Sequence, residues 1–166
     1  IAVIGGVLLI VGAFLLQRPA EGAVDASGLV PPATPTPVAY ADGRTLGLAD
    51  APVTLEVWSD FQCPVCRRYA ETVEPALVRD LVANGTLRIV HRDAAFQGQR
   101  ARLAYDESVE AGAGARCAAV QDRYWPFHDW LFANQAGENR GAFADARLRA
   151  IAGSAGLDVA AWDACR

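Results

Sequence analysis

The stretch Val53–Arg68, V-T-L-E-V-W-S-D-F-Q-C-P-V-C-R-R, decides the fold of this 166-residue chain. Its first six residues are largely apolar, which is typical of a central strand that is covered on both faces. Glu56 is the only charged side chain among them. Cys63 and Cys66 follow where the strand ends and a helix begins. The stretch therefore predicts a buried strand that leads through a cysteine pair into a helix.

A four-residue spacing of apolar side chains predicts the helix after the cysteines. The side chains on this helix face belong to Val65, Tyr69, Val73, Leu77 and Leu81. Pro75 lacks a backbone donor, so we expect it to interrupt and kink the helix. The pair Asn84-Gly85 predicts the helix end, and residues 86–91 predict a second strand. A strand, a helix and a strand in this order imply a parallel pair joined by a right-handed crossover.

The C-P-V-C motif carries the predicted chemistry. Cys63 would lie at the helix N-terminus, where unpaired N–H groups and the helix dipole favour the thiolate, which is the attacking species. Pro64 fits the first helical turn, and Val65 completes the dipeptide between the cysteines. We predict thiol–disulfide exchange through a mixed disulfide, in which Cys63 attacks or is attacked and Cys66 resolves. A C-x-x-C pair placed between a strand and a helix is a strong signal for this chemistry.

Two other uses of the cysteine pair stay open: a structural disulfide and half of a zinc site. Zinc would need a second close pair of ligands, whereas Cys117 and Cys165 lie 48 positions apart. We therefore expect neither a metal nor another cofactor. His128 has no metal partner at a suitable spacing and is interpreted as a satisfied or surface histidine.

Glu56 is the candidate proton acceptor for Cys66. A buried carboxylate beneath the motif would take up the proton of this thiol during exchange. Asp60, in the turn before the motif, competes for the role. The alternative is that Glu56 is a solvated strand residue at the edge of the sheet.

The N-terminal region predicts export. Residues 1–16 contain no charged or polar side chain, and as a helix they would span about 24 Å of a bilayer core of about 30 Å. We predict a transmembrane anchor, with a cleaved signal peptide as the alternative. Five of the nine prolines lie in residues 17–42, which predicts an extended Pro- and Ala-rich linker that does not order itself. Because the chain starts at Ile1 and has no Met, we expect its N-terminus to be incomplete.

The rest of the chain excludes one class of function and predicts a helical half. A net charge of −4 and a pI near 5.1 argue against nucleic-acid binding, which usually needs a basic face. From residue 97 onward no strand is predicted, and four helical stretches cover residues 101–121, 126–135, 143–155 and 158–165. A dense cluster around the second stretch predicts a packed core, with a ligand-stacking site as the alternative. Its members are Trp125, Phe127, Trp130, Leu131 and Phe132.

Three pieces of the sequence resemble the DsbA-like thiol:disulfide oxidoreductases of the thioredoxin superfamily. The first is A-P-V-T-L-E-V-W-S-D-F-Q-C-P-V-C-R-R within residues 48–68. The others resemble the helical insertion of the same family: C-A-A-V-Q-D-R-Y-W-P-F-H-D-W-L-F-A-N-Q at Cys117–Gln135 and G-L-D-V-A-A-W-D-A-C at Gly156–Cys165. The combination is much more specific than the C-x-x-C pair alone.

The resemblance implies an α/β, thioredoxin-like fold with an inserted helical subdomain. The strand–helix–strand unit with C-P-V-C would take residues 43–97, and the helical insertion residues 98–166. The resemblance also implies oxidation of thiols in exported proteins, with reoxidation by a membrane quinone-linked partner. With residues 1–16, it implies a domain at the cell membrane on the extracytoplasmic side. The alternatives are a reductase or isomerase of the same fold, or a non-catalytic thioredoxin-like binding module.

Two departures from the family pattern modify these expectations. The dipeptide between the cysteines is Pro-Val, whereas the best-known oxidases carry Pro-His, which favours a less oxidising couple here. The family's cis-proline loop, last strands and last helix would follow the insertion, but the chain stops at Cys165-Arg166. We therefore expect a chain that is truncated at both ends, with the C-terminal strands and helix absent.

Cys117 and Cys165 are the expected partners of a structural disulfide. In an exported protein with four cysteines, pairing Cys63 with Cys66 leaves these two, and such a second disulfide occurs in some relatives. Closing this loop would contribute about 4 kcal/mol in the chain-entropy description. Two free buried thiols are the alternative.

Overall fold

The computed structural model describes residues 26–97 and 105–166. The predicted anchor or signal segment, residues 1–16, lies outside these ranges, as does the first part of the predicted linker. Among the described residues, no helix is both long and apolar enough to span a bilayer.

The described strands form a single sheet. They are β1 (Ala41–Asp42), β2 (Thr45–Leu46), β3 (Val53–Ser59) and β4 (Leu87–Asp93). Their order across the sheet is β1-β2-β4-β3, with β1–β2 and β2–β4 antiparallel and β3–β4 parallel. In the parallel pair, Ser59 lies opposite Asp93 at the carboxyl ends of the strands. The predicted parallel pair is therefore confirmed, and the cysteines follow β3 directly.

The expectation that β3 is covered on both faces is wrong for the described part of the chain. Within residues 26–97 and 105–166, β3 pairs with β4 alone and is the last strand of the sheet. Leu55 and Val57 pack against the core, whereas Trp58 on the opposite face is 65% exposed. The alternation of strand side chains between two faces, only one of them covered, explains this pattern.

Residues 64–82 form one continuous helical run, which we call the CPVC helix. It consists of α1 (Pro64–Arg68), a π turn (Tyr69–Val73), α2 (Glu74–Leu77) and a second π turn (Val78–Val82). Pro75 stands in the first turn of α2, and just before it the N–H of Glu74 reaches back to the carbonyl of Tyr69. The predicted interruption at Pro75 therefore takes the form of widened turns, a known way to accommodate a missing donor.

The C-terminal half is helical, as predicted. Its helices are α3 (Glu107–Val120), α4 (Tyr124–Ala133), α5 (Asp145–Ser154) and α6 (Val159–Cys165). Asp106 caps α3 by accepting from the N–H groups of Ser108 and Val109, and Asp158 caps α6 by accepting from Ala161. No strand occurs in the described residues 105–166. The thioredoxin-like α/β fold with a helical subdomain is thus confirmed.

A single core joins the sheet to the helical half. The predicted cluster around α4 lies inside it, with Trp125, Phe127, Leu131 and Phe132 all buried and Trp130 partly buried against it. The structure also pairs Cys117 of α3 with Cys165 of α6 in a disulfide. The disulfide thus fastens α6 to α3, while α4 contacts the CPVC helix at residues Tyr69–Val73.

The described part of the predicted linker is ordered against the domain, so the prediction of a free spacer is wrong there. The backbone N–H and carbonyl of Val30 both bond to the side chain of Asn134, each at 2.9 Å. The N–H and hydroxyl of Thr36 donate to Asp129 at 2.6 and 3.0 Å. Proline-rich backbone has little entropy to lose on docking, and the polar side chains of α4 satisfy its backbone groups. Ala41–Asp42 then enters the sheet as β1.

Candidate active site

Cys63 is the residue that caps the N-terminus of α1. Its backbone is extended, with φ −77° and ψ 120°, and the helix begins at Pro64. The N–H of Cys63 donates to the carbonyl of Asp60 at 3.0 Å, and its own carbonyl accepts from Arg67 at 3.0 Å. The Cys63 thiol is therefore attached at the N-terminal end of α1, where the N–H groups and the helix dipole favour a negative charge.

Cys66 lies one turn further along the helix and is partly buried. Burial raises the pKa of the Cys66 thiol; hydrogen bonds from the Ser59 hydroxyl and the Asp60 backbone offset part of this, and the neighbouring Cys63 thiol raises it further. These contacts also show that the two thiols are neighbours. Both are free cysteines in the described part of the chain. A thiol held protonated by burial fits the resolving position of a cysteine pair.

Pro64 and Val65 form the outer surface of the motif. Pro64 occupies the first turn of α1, where its missing N–H costs no hydrogen bond. Val65 is 65% exposed. An apolar, exposed side chain therefore stands between the cysteines.

Glu56 does not lie beneath the motif, so the expectation of a buried carboxylate at this position is wrong. Its side chain is 46% exposed and accepts a hydrogen bond from Nη2 of Arg92 at 2.9 Å. Glu56 follows the alternation of β3 and points away from the core, on the same side as Trp58. The alternative of a solvated strand residue fits the structure.

Asp60, the competing candidate, is buried and holds the turn before the motif. Its Oδ1 accepts from the N–H of Gln62 and from the Ser108 hydroxyl, each at 2.8 Å. Its Oδ2 accepts from the N–H of Gln97 at 2.8 Å. With both oxygens engaged, this carboxylate connects the turn to α3 and to the chain after β4.

Gln135, which follows α4, is a residue that sequence patterns did not single out. Its side-chain amide donates to the carbonyls of Phe61 and Cys63, at 2.6 and 3.1 Å. Its backbone carbonyl accepts from Nη1 of Arg67 at 3.2 Å. A long-range contact of a single polar side chain leaves no periodic signal, so only the fold brings it to the motif.

A buried titratable cluster lies behind the CPVC helix. Nδ1 of His128 is 2.9 Å from Asp129, and its Nε2 is 4.0 Å from Glu74. Burial raises the pKa of Glu74 from 4.5 to about 7, with His128 lowering it and Asp129 raising it. Burial alone would lower the pKa of His128, but the carboxylates of Glu74 and Asp129 outweigh it and raise that pKa. His128 is thus buried and bonded through Nδ1, but its Nε2 has no hydrogen-bond partner among the described residues, so the expectation of a satisfied or surface histidine is wrong for this nitrogen.

A second buried group ties β4 to α4. The hydroxyl of Tyr124 donates to Asp93 at 2.7 Å and lies 2.5 Å from Nδ1 of His91. Burial lowers the pKa of His91 to about 4, so the ring is neutral around pH 7. Among the described residues, no group of three or more His, Cys, Asp or Glu side chains is placed to hold a metal ion.

The fold and the cysteine geometry define a class of protein. A parallel β-α-β unit whose connecting helix starts with C-x-x-C, next to a helical subdomain, is a thioredoxin-fold protein with a dithiol site. The sequence model of the thioredoxin family matches residues 40–165, and the chain belongs to this family.

Curated relatives match part of the chain. The probable disulfide bond formation protein D of Bacillus cereus is 33% identical over 98 residues, which cover 58% of this chain and 43% of that protein. Disulfide bond formation protein D of Bacillus subtilis is 31% identical over 90 residues, covering 54% and 38%. The matched region thus spans less than half the length of these relatives.

Solved structures share the fold. BdbD of Bacillus subtilis in its oxidised form superimposes with a TM-score of 0.64 at 22% identity, covering 74% of this chain and 64% of BdbD. Oxidised DsbA of Mycobacterium tuberculosis gives a TM-score of 0.60 at 24% identity, covering 74% and 68%. The thioredoxin-like fold that the sequence resemblance implied is therefore confirmed.

Proposed function

We propose that this protein is a thiol:disulfide oxidoreductase that introduces disulfides into secreted or cell-envelope proteins through Cys63 and Cys66. The observation that carries the proposal is the pair of neighbouring free thiols at the start of α1, with Cys66 held protonated by burial. The names of the Bacillus relatives, disulfide bond formation proteins, support the same direction of chemistry.

The exchange begins with the Cys63–Cys66 disulfide. A client thiolate attacks the sulfur of Cys63, the Cys63–Cys66 bond breaks, and Cys66 leaves as a thiolate that takes up a proton. The Ser59 hydroxyl and the Asp60 backbone N–H hydrogen-bond to Cys66 and stabilise it as it leaves. A second client thiolate then attacks the client sulfur of the mixed disulfide, and Cys63 leaves as a thiolate at the helix N-terminus. The client gains a disulfide and the enzyme becomes a dithiol.

Further turnover needs an oxidant for the dithiol. A membrane quinone-linked protein that accepts the two electrons is the partner implied by the family resemblance. In this proposal residues 1–16 are the anchor or signal segment, and the domain works on the extracytoplasmic side of the cell membrane. Their apolar composition supports the assignment.

Trapping of mixed disulfides tests the proposal. In a Cys66→Ser variant of the full chain, the resolving thiol is gone and complexes through Cys63 accumulate. Incubated with a reduced, unfolded substrate protein and an oxidant, this variant should form reducible complexes, whereas Cys63→Ser should form none. Wild-type protein should reform the substrate's disulfides. Equal trapping by both variants, or trapping by neither with an inactive wild type, would overturn the proposal.

A further inference from the structure

Gln135 connects three parts of the proposed active site. It is buried, and its amide group donates to the carbonyls of Phe61 and Cys63 at 2.6 and 3.1 Å. Its own carbonyl accepts from Nη1 of Arg67 at 3.2 Å. This single residue, which follows Asn134 at the end of α4, thus contacts the turn before the motif, the capping residue Cys63 and the first turn of α1.

The loop after α4, which contains Gln135, also contacts the turn before the motif through Asn139. Oε1 of Gln62 accepts from the N–H of Asn139 at 2.5 Å, and Nε2 of Gln62 donates to Oδ1 of Asn139 at 3.4 Å. Gln62 and Gln135 therefore reach in opposite directions between the turn and the loop that follows α4. The Gln135 contacts differ in that they act on the backbone of Cys63 itself.

The contact has a chemical consequence because a helix end stabilises a thiolate only when the sulfur is held over its N–H groups. The carbonyl of Cys63 already accepts from the N–H of Arg67. The second donor, from Gln135, fixes the direction of that carbonyl and with it the extended backbone of the capping residue. Without it, Cys63 can turn about its backbone and carry its sulfur away from the helix end.

We propose that Gln135 is a positioning residue that holds Cys63 over the N-terminus of α1 and so sets the reactivity of its thiolate. The inference rests on the proposed exchange function. It also assigns a role to the helical subdomain, which supplies one wall of the site and keeps its reacting sulfur in place.

The test compares two glutamines whose side chains both hydrogen-bond to backbone groups of distant residues. Gln135→Met keeps the side-chain length but removes its donors. Gln121→Met is the matched control, because Gln121 bonds the N–H and carbonyl of Asp158 at 2.9 and 3.1 Å, away from the motif. Both are made in a full-length Cys66→Ser background, so that Cys63 is the reactive thiol. The readouts are thermal stability and the rate of Cys63 alkylation by iodoacetamide between pH 4 and 9.

We expect Q135M to slow alkylation near neutral pH about tenfold, the effect of losing one intramolecular hydrogen bond. The pH of half-maximal rate should also move upward. Q121M should lose comparable thermal stability and keep the rate and pH profile within twofold. A folded Q135M with an unchanged pH profile would overturn the inference, and so would an equal change in Q121M.

A second variant covers the case in which Q135M does not fold, and a separate assay distinguishes failure of this inference from failure of the proposed function. If Q135M does not fold, Gln135→Asn, which retains the donors but is one methylene shorter, should show the same slowing, and an unchanged rate there would also overturn the inference. Failure of the proposed function appears elsewhere: wild-type protein would not exchange with a reduced client, whatever the alkylation rates of the variants.

Discussion

Glu74 is a buried residue whose charge state affects the stability of the domain. It is buried in the CPVC helix, and burial raises its pKa to about 7, while His128 faces it from α4 at 4.0 Å. Because burial favours the neutral carboxyl, Glu74 binds its proton more tightly in the folded state than in the unfolded chain. The stability that this proton contributes is therefore present at low pH and is lost as the pH rises.

Replacing Glu74 by Gln should flatten this pH dependence. Between the unfolded pKa of Glu74, 4.5, and its folded pKa of about 7, the folded protein holds the extra proton, so the free energy of unfolding falls with rising pH. The loss amounts to up to about 3 kcal/mol. Urea unfolding at pH 5, 6, 7 and 8 should show a steeper decline for wild type than for Glu74→Gln. Parallel curves would mean that Glu74 does not titrate in this range.

Glu56→Gln should leave disulfide exchange unchanged. The Glu56–Arg92 pair is exposed on the outer face of β3, and exposed pairs of this kind contribute about 0–1 kcal/mol to stability. The substrate-oxidation rate between pH 5 and 8 should stay within about twofold of wild type, since so small an energy leaves no larger effect. A clear drop in the substrate-oxidation rate without a loss of stability would contradict this prediction and show that Glu56 takes part in the exchange.

At the level of elements, α3 contains two glycines in contrasting surroundings. A Cβ on Gly114 would lie 2.7 Å from Cζ2 of Trp162 and 3.1 Å from Cζ of Phe127, and the Gly114 carbonyl accepts from the Trp162 indole at 2.8 Å. A Cβ on Gly112 would meet Asp93 and Arg116 at 3.5 Å, an ordinary contact distance. The approach of α6 to α3 thus depends on Gly114.

Alanine substitution should separate the two positions. Gly114→Ala should lower the free energy of unfolding by about 1–3 kcal/mol through overpacking. Gly112→Ala, in the same helix, should raise it by up to about 1 kcal/mol through higher helix propensity. Chemical denaturation of both variants provides the measurement. Equal effects would show that Trp162 does not pack against Gly114 as described.

Elements with a regular period could be predicted from sequence, and contacts between distant residues could not. The four-residue spacing from Val65 onward predicted a helix, and the apolar runs predicted β3 and β4. The face of β3 that Glu56 occupies depends on what covers the strand, which the near-continuous apolar run does not reveal. The hydrogen bond from the Gln135 amide to the Cys63 carbonyl forms only when α4 packs beside the motif.

The docking of residues 26–37 shows the same limit. Their composition is typical of a free spacer, since prolines and small polar residues bury little apolar surface. The bonds of Asn134 to Val30 and of Asp129 to Thr36 span about a hundred residues of sequence and have no local signature. The position of the C-P-V-C motif between β3 and a helix, by contrast, could be predicted because it depends on local order along the chain.

For the whole molecule, the Cys117–Cys165 disulfide should be a large source of stability. It closes a loop with a sequence separation of 48 residues, which corresponds to about 4 kcal/mol in the chain-entropy description. The double variant Cys117→Ala/Cys165→Ala should lose about this much free energy of unfolding. It should still exchange through Cys63 and Cys66 at a temperature where it is folded. Non-reducing peptide mapping that found Cys63 linked to Cys117 would contradict the assignment.

The redox equilibrium of Cys63 and Cys66 with glutathione tests the central claim most directly. We predict that the two thiols oxidise together as one two-electron pair. Their potential should lie between that of thioredoxin, about −270 mV, and that of the strongest oxidase of the superfamily, about −120 mV. A pair at or below the thioredoxin value, or two cysteines that titrate independently, would contradict the account of this protein as a disulfide-donating oxidoreductase.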